Sequence, residues 1–433
     1  MTITAQQFVS LHVILIVLHV ILGGVAYLIY AERKISAWVQ DRLGPNRVGP
    51  IGLLQPIADG IKLFLKEDYA ASRVDKVLFT LGPAIIIIPA LIGWAVIPWG
   101  GVVEIPTFSP PLLPITVEGG TALVAAADIN IGVIYLLAVA SLGVFGVTLG
   151  GWASNNKYSF LGGLRCSAGM ISYEIPMGLA ILVVLLVAGS VHPQELVAYQ
   201  ATHGWFIVGA PIAAVLFYVC SLAEANRAPF DNAEAEQELV GGYHTEYSSM
   251  RFALFLLAEY AHMITGAAFF VLLFLGGYHV PFVALTDPAE TGLLAMAVKF
   301  AVFAGKTTAI ALFGILVRWT LPRIRWDQVM KLAWNGLIPL GIVLLIATSA
   351  MVYMGWTATW QMFVMHAVVC VLIVMMLPVL PQPAKNHKVQ LAGSRYSPRP
   401  GDPDMTAPAH PDALHEMAPS LAGGREERVV RVP

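Results

Sequence analysis

Residues 8–31 read F-V-S-L-H-V-I-L-I-V-L-H-V-I-L-G-G-V-A-Y-L-I-Y-A, twenty-four positions without an acid, a lysine or an arginine. Wound as a helix at about 1.5 Å per residue, such a run crosses the roughly 30 Å of hydrocarbon in a bilayer. Three charges follow at once, Glu32, Arg33 and Lys34. With no basic stretch before it and no A-x-A-like site before the next segment, the run reads as a retained helix rather than a cleaved signal.

Eight more apolar runs of similar length lie beyond it: 77–99, 125–150, 169–189, 205–223, 252–276, 293–319, 334–353 and 360–380. The whole chain of 433 residues is 57% hydrophobic and 12% charged, with mean hydropathy +0.73. Soluble domains carry about 25% charged residues. These numbers exclude a soluble enzyme and predict an all-α polytopic membrane protein. Prolines within the runs, such as Pro83, Pro89, Pro176, Pro211 and Pro339, are tolerated where neighbouring helices satisfy the freed backbone groups. Cys166, Cys220 and Cys370 are isolated, without the spacing of a disulfide framework, a zinc site or an iron-sulfur site. His12, His19 and His244 form no metal-ligand constellation, and no glycine-rich segment follows a strand.

Of the 25 lysines and arginines, all but Lys299 and Lys306 fall in the first, third, fifth and seventh connections or in the tail. The second, fourth, sixth and eighth connections have none. By the positive-inside rule the odd connections face the cytoplasm, the N-terminus lies outside and the tail is cytoplasmic. In the first connection, Ile51–Lys66 places Leu54, Ile57, Ile61, Phe64 and Leu65 on one helical face and Gln55, Asp59, Lys62 and Lys66 on the other. This predicts a surface helix lying along the membrane after the first span. From residue 384 the composition turns to Pro, Gly, Ser and charge without periodicity, which predicts disorder.

Ionisable residues within spans cost about 2.5 to 3.5 kcal/mol each near the centre, so by default they mark ion or proton paths. Lys306 lies deep in the seventh run, with Glu259 in the sixth and Glu174 in the fourth; Asp128 and Glu224 sit near span ends. The fifth connection is the acidic one. Asp231, Glu234, Glu236, Glu238 and Glu246 fall within sixteen residues there, interleaved with Pro229, Phe230, Gly241, Gly242, Tyr243 and Tyr247. Two carboxylates about 6 Å apart repel by roughly 3 kcal/mol at an effective dielectric near 20, so such a cluster exchanges protons when a charge nearby changes. Lys299 reads as a helix-packing or lumen-facing residue, and no role is assigned to it.

The longest motifs are A-E-R-K at 31–34, D-R-L-G-P-N-R-V-G-P at 41–50, L-L-Q-P-I-A-D-G-I-K-L-F-L-K-E at 53–67, N-N-K-Y-S at 155–159, S-Y-E-I at 172–175, R-A-P-F-D with the acidic run to Tyr247, and L-P-R-I-R-W-D-Q at 321–328. Through them the chain resembles the H-type membrane component of respiratory complex I, the proton-translocating NADH:quinone oxidoreductase, called subunit 1 in mitochondria. That resemblance implies eight core transmembrane helices in residues 1–355. The run in 356–383 is then an additional ninth helix and 384–433 a cytoplasmic tail. It also implies a quinone cavity lined by Glu32, Arg33, Arg42, Asp59, Phe230, Asp231, Glu234, Glu236 and Glu246, with Arg323 and Arg325 nearby. A proton path is implied through Asp128, Glu174, Glu224, Glu259 and Lys306. This chain would hold no redox centre and no metal. Quinone would be its substrate, and FMN and iron-sulfur clusters would sit on partner subunits. Those partners would be peripheral quinone-site subunits and antiporter-like membrane subunits in a bacterial inner membrane. Gly169 stands where the family usually has Gln, and Asn335 where it usually has Lys.

Two rivals remain. One is the homologous anchor of a membrane-bound hydrogenase or formate-oxidising complex. The other is a stand-alone cation/proton transporter, against which the chain shows no internal repeat.

Overall fold

The computed structural model describes residues 2–109, 116–233 and 235–376. Two compact units divide the chain at Cys370/Val371, and nearly all described residues belong to the first. The tail expected to be disordered lies outside the described residues.

The elements run in chain order: β1 (Thr2–Thr4), α1 (Ala5–Val39), α2 (Gln55–Leu65), α3 (Lys76–Ile92), β2 (Val102–Ile105), β3 (Thr116–Glu118), β4 (Gly120–Leu123), α4 (Gly132–Ser141), α5 (Gly143–Ala153), α6 (Lys157–Ala188), α7 (Pro193–His203), α8 (Phe206–Gly209), α9 (Pro211–Glu224), α10 (Glu236–Leu239), α11 (Ser249–Phe274), α12 (Leu293–Thr320), α13 (Trp326–Lys331), α14 (Ile338–Tyr353) and α15 (Thr359–Met376). The chain is an all-α polytopic membrane protein. Among the described residues seven helical spans are long and apolar enough to cross a bilayer, and α9 and α15 are shorter apolar helices. The fifth run is therefore not one helix. Ala210, at φ −127° and ψ 58°, breaks it, and Pro211 starts α9 at its first turn.

Local sequence sets several boundaries. Thr4 and Gln7 cap the start of α1 reciprocally, Asp75 accepts from Val77 N and Leu78 N at the start of α3, and Asn156 accepts from Tyr158 N at the start of α6. Gly189, in the left-handed region, ends α6. The first helix runs past its apolar stretch to Val39, so Glu32 and Arg33 remain helical. Close packing comes from small residues. A Cβ on Gly146 would stand 2.7 Å from Ile86 N, and one on Gly150, four residues on, 2.9 Å from the Phe255 ring. A Cβ on Gly82 of α3 would stand 3.0 Å from Gly150 Cα, so this G-x-x-x-G face lets α5 lie directly on α3. The core helix is α11, which packs against α1, α3, α9 and α12.

Hydrogen bonds sort the connections to two ends. At one end Asp75 N donates to Ala153 O (3.1 Å), Asn156 Nδ2 to Glu246 Oε1 (2.6 Å), Ser249 Oγ to Lys66 O (2.9 Å) and Ile324 N to Pro229 O (3.0 Å). These join the first, third, fifth and seventh connections. At the other end Glu104 N donates to Thr291 O (3.1 Å), His192 Nε2 to Asp128 Oδ1 (2.8 Å) and Gln194 Nε2 to Tyr278 Oη (2.6 Å). There the N-terminal residues join the second connection, since Gln6 Nε2 donates to Leu123 O at 3.1 Å. The surface helix is α2, with Ile57, Ile61, Phe64 and Leu65 all exposed.

Candidate functional site

Glu32 is the centre of a buried charged site, 8% exposed on α1. Its Oε1 accepts from Arg318 Nη1 of α12, and its Oε2 accepts from Tyr260 Oη of α11 at 2.8 Å. Arg227, just past the end of α9, brings Nη1 to 3.8 Å from the same carboxylate and lays its guanidinium over the Tyr260 ring, 3.8 Å from the centroid. Burial works against the Arg227 charge. Glu259, Tyr260 and Glu32 more than offset it, so Arg227 holds its proton more firmly than usual. Arg227 Nε and Nη2 find no acceptor atom among the described residues. Glu259, buried on α11, accepts from Tyr243 Oη at 3.5 Å. Three helices and the connection after α9 thus place two carboxylates, two guanidiniums and two phenols together.

An apolar cleft of ≈ 360 Å³ runs beside this site, lined among others by Gly24, Leu28 and Ala31 of α1, Ile264 of α11 and Ala304 and Leu312 of α12. The cleft lies against the same three helices that carry Glu32, Tyr260 and Arg318, with Ala31 its lining residue next to Glu32 in the chain. Its volume lies in the range of small-molecule pockets, about 300 to 1,000 Å³.

The acidic connection does not form one carboxylate cluster among the described residues. Asp231, 8% exposed, accepts from Arg323 Nη2 at 2.8 Å, Glu238 pairs with Arg165, and Glu246 takes the Asn156 amide. The backbone threads past different elements, and each of these three acids finds its own partner. Glu236 is exposed, and Glu234 lies outside the described residues. Phe230 is buried against Tyr173, ring centroids 5.2 Å apart. Arg33 pairs with Asp59 at 2.6 Å and so ties α1 to α2. Arg42 is exposed and donates to Gln40, while Arg325 is largely exposed and lies 3.6 Å from Asp327.

The five expected path residues separate into two groups. Glu174 on α6 accepts from Ser141 at the end of α4, and Glu224 couples electrostatically to it. Glu174 and Glu224 form one pair within the bundle, and Glu259 and Glu32 belong to the charged site. Asp128 and Lys306 belong to the opposite end. Asp128 pairs with His192, and Lys306 donates to the carbonyls of Leu275 (2.6 Å), Gly277 (3.0 Å) and His279 (2.7 Å) while lying 4.4 Å from the Trp205 ring centroid. Lys299, buried, donates to Glu290 O at 2.6 Å. Among the described residues no group of three or more His, Cys, Asp and Glu side chains is arranged to hold a metal ion.

Arg227, Tyr260 and Arg318 were not singled out from sequence. Arg227 had a signal, since it opens the R-A-P-F-D motif three residues after Glu224.

Residues 12–349 match the family model described as NADH dehydrogenase. The chain belongs to that family. Curated relatives named as the H subunit of NADH-quinone oxidoreductase place it further. The chain is similar to H subunit 1 of Geobacter sulfurreducens, 47% identical over 341 residues covering 78% of this chain and 93% of the relative. H subunit 1 of Cytophaga hutchinsonii is 46% identical over 324 residues, 75% of this chain and 91% of the relative. The H subunit of Leptospira biflexa is 44% identical over 351 residues, 80% and 96%. Within the NADH dehydrogenase family the chain is thus a membrane subunit of the H type. Helix α15 lies beyond the residues matched by the family model.

Proposed function

We propose that this chain, as a subunit of an NADH-quinone oxidoreductase, forms the membrane part of the quinone cavity and passes the effect of quinone reduction to acids within the bundle. One observation carries the reading: an apolar cleft lies between α1, α11 and α12, the helices that also carry the Glu32–Tyr260–Arg318 cluster. An isoprenoid tail suits the cleft, and a headgroup that gains charge on reduction would be felt by paired arginines and carboxylates in a medium of low dielectric. Glu32, Arg33, Arg42, Asp59, Phe230, Asp231, Glu234, Glu236, Glu246, Arg323 and Arg325 belong to the cavity wall or its approach, with Arg227, Arg318 and Tyr260 added. Glu259, Glu224 and Glu174 carry the proton response toward antiporter-like partner subunits. Lys306 and Asp128 fit the opposite end of the bundle better than this path. Electrons arrive from flavin and iron-sulfur clusters on partner chains. The positive-inside pattern puts the Glu32 end at the cytoplasmic face of a bacterial inner membrane.

The test is to fill the cleft. Ala304→Phe in the intact complex raises the KM for quinone by roughly tenfold, the effect of about 1.4 kcal/mol of lost binding. An assembled variant with an unchanged KM and kcat refutes the cleft as the quinone path.

A further inference from the structure

Behind the charged site a small cavity of ≈ 30 Å³ lies between α4, α6, α9 and α11. Its wall is apolar except for Ser221 and Glu224 of α9 and His262 and Thr265 of α11. That volume has room for about two water molecules, and four polar side chains are enough to bind them. His262 is the unexplained member. Its ring bonds the Ile86 backbone, while Nε2 is shielded from solvent with no hydrogen-bond partner among the described residues. Nε2 faces the α4–α5 break, because a Cβ on Gly143 would stand 3.2 Å from it. Two residues before Gly143, Ser141 donates to Glu174. Glu224 of α9 also lines the cavity, and no lysine or arginine is among its lining residues. A bulky residue in place of His262 would fill this space better, and an orphaned imidazole nitrogen within a bundle is costly unless it takes up a proton or a water.

We propose that His262 relays protons between Glu224 and the Ser141–Glu174 pair. A proton leaves the Glu224 carboxyl, crosses the water in the cavity and adds to Nε2, leaving a carboxylate and an imidazolium. That Nε2 proton then passes through a water to the Ser141 hydroxyl, which gives its own proton to the Glu174 carboxylate, and the ring returns to its neutral form. No electron moves. The relay rests on the proton-coupling reading above, and it explains how two acids on α9 and α6 communicate across the α4 end.

The experiment uses the whole complex in native membranes. His262→Asn and His262→Gln keep a polar side chain but cannot carry a charge, and both are compared with Glu224→Gln. Protons translocated per NADH oxidised and the pH profile of quinone reduction are measured, each normalised to the amount of assembled complex. The relay predicts a loss of coupled turnover by roughly tenfold or more in both His262 variants, with an altered pH profile. Normal turnover and proton yield in either assembled variant, alongside a defective Glu224→Gln, overturns the relay alone. A loss of rate with an unchanged pH profile overturns it as well, since packing would suffice. Normal proton yield in Glu224→Gln removes the coupling reading itself.

Discussion

The two ends of the bundle treat the cations within it differently. At one end Arg227 and Arg318 converge on the Glu32 carboxylate and the Tyr260 phenol. At the other, Lys306 and Lys299 donate to backbone carbonyls of the chain between α11 and α12. A carboxylate can lose its charge on protonation, and the arginines around it then face an altered field. A carbonyl dipole has no such second state. The first arrangement can therefore register a chemical event, whereas the second holds a helix end in place, with a cation where the α11 dipole is negative. Both cost energy to bury, and only the partner distinguishes a responsive site from a fastening.

Removing one partner from each site breaks or sharpens this contrast. The largest effect belongs to Glu32→Gln, which leaves Arg318 without its counter-charge and Arg227 with Glu259 alone. Losing one member of a buried pair costs about 3 to 5 kcal/mol. Quinone reduction falls at least tenfold by that measure, assayed as NADH:quinone activity in membranes. A variant with normal activity would show that the site is merely structural. Next comes Lys306→Met, which strands three carbonyls at about 1 kcal/mol or more each. Its thermal midpoint drops while the KM for quinone of the assembled enzyme stays within error; a shifted KM would move Lys306 back among the path residues.

A smaller effect is expected from Asp59→Asn. Its partner Arg33 is about half exposed, so the pair contributes roughly 0.2 to 1 kcal/mol. Quinone KM changes less than about fivefold on that scale. The smallest concerns pH at the Lys306 end. Burial first, then the Lys306 ammonium, holds His279 below the ordinary histidine value against the opposing pull of Asp287. A depressed value means that stability is present above the unfolded pKa near 6.5 and is lost as pH falls below it. Thermal midpoints measured from pH 7 to 5 fall more steeply for the native protein than for His279→Gln.

Much of this was legible in sequence. The nine apolar runs correspond to seven long spans and two shorter helices, and the odd and even connections do gather at opposite ends. Hydrophobic run length and the cost of placing charge in lipid act locally, so they can be read locally. The partner of each charge cannot. Arg318 is 286 residues from Glu32 and Tyr260 is 228, and no periodicity links positions so far apart. The acidic connection misled for a related reason. Five acids close in sequence suggested mutual repulsion, yet the irregular backbone turns Asp231, Glu238 and Glu246 toward Arg323, Arg165 and Asn156 on different elements.

Lys306 shows the division most clearly. Sequence alone determined that a lysine stands in the middle of an apolar helix and must be satisfied there. It could not say by what. Helix α11 ends at Phe274 and turns beside the middle of α12, which brings three free carbonyls to the ammonium. In a chain whose spans are dictated by hydrophobic length, the sequence decides which residues are costly to bury. Tertiary packing decides whether that cost is met by a charge that can change or by a dipole that cannot.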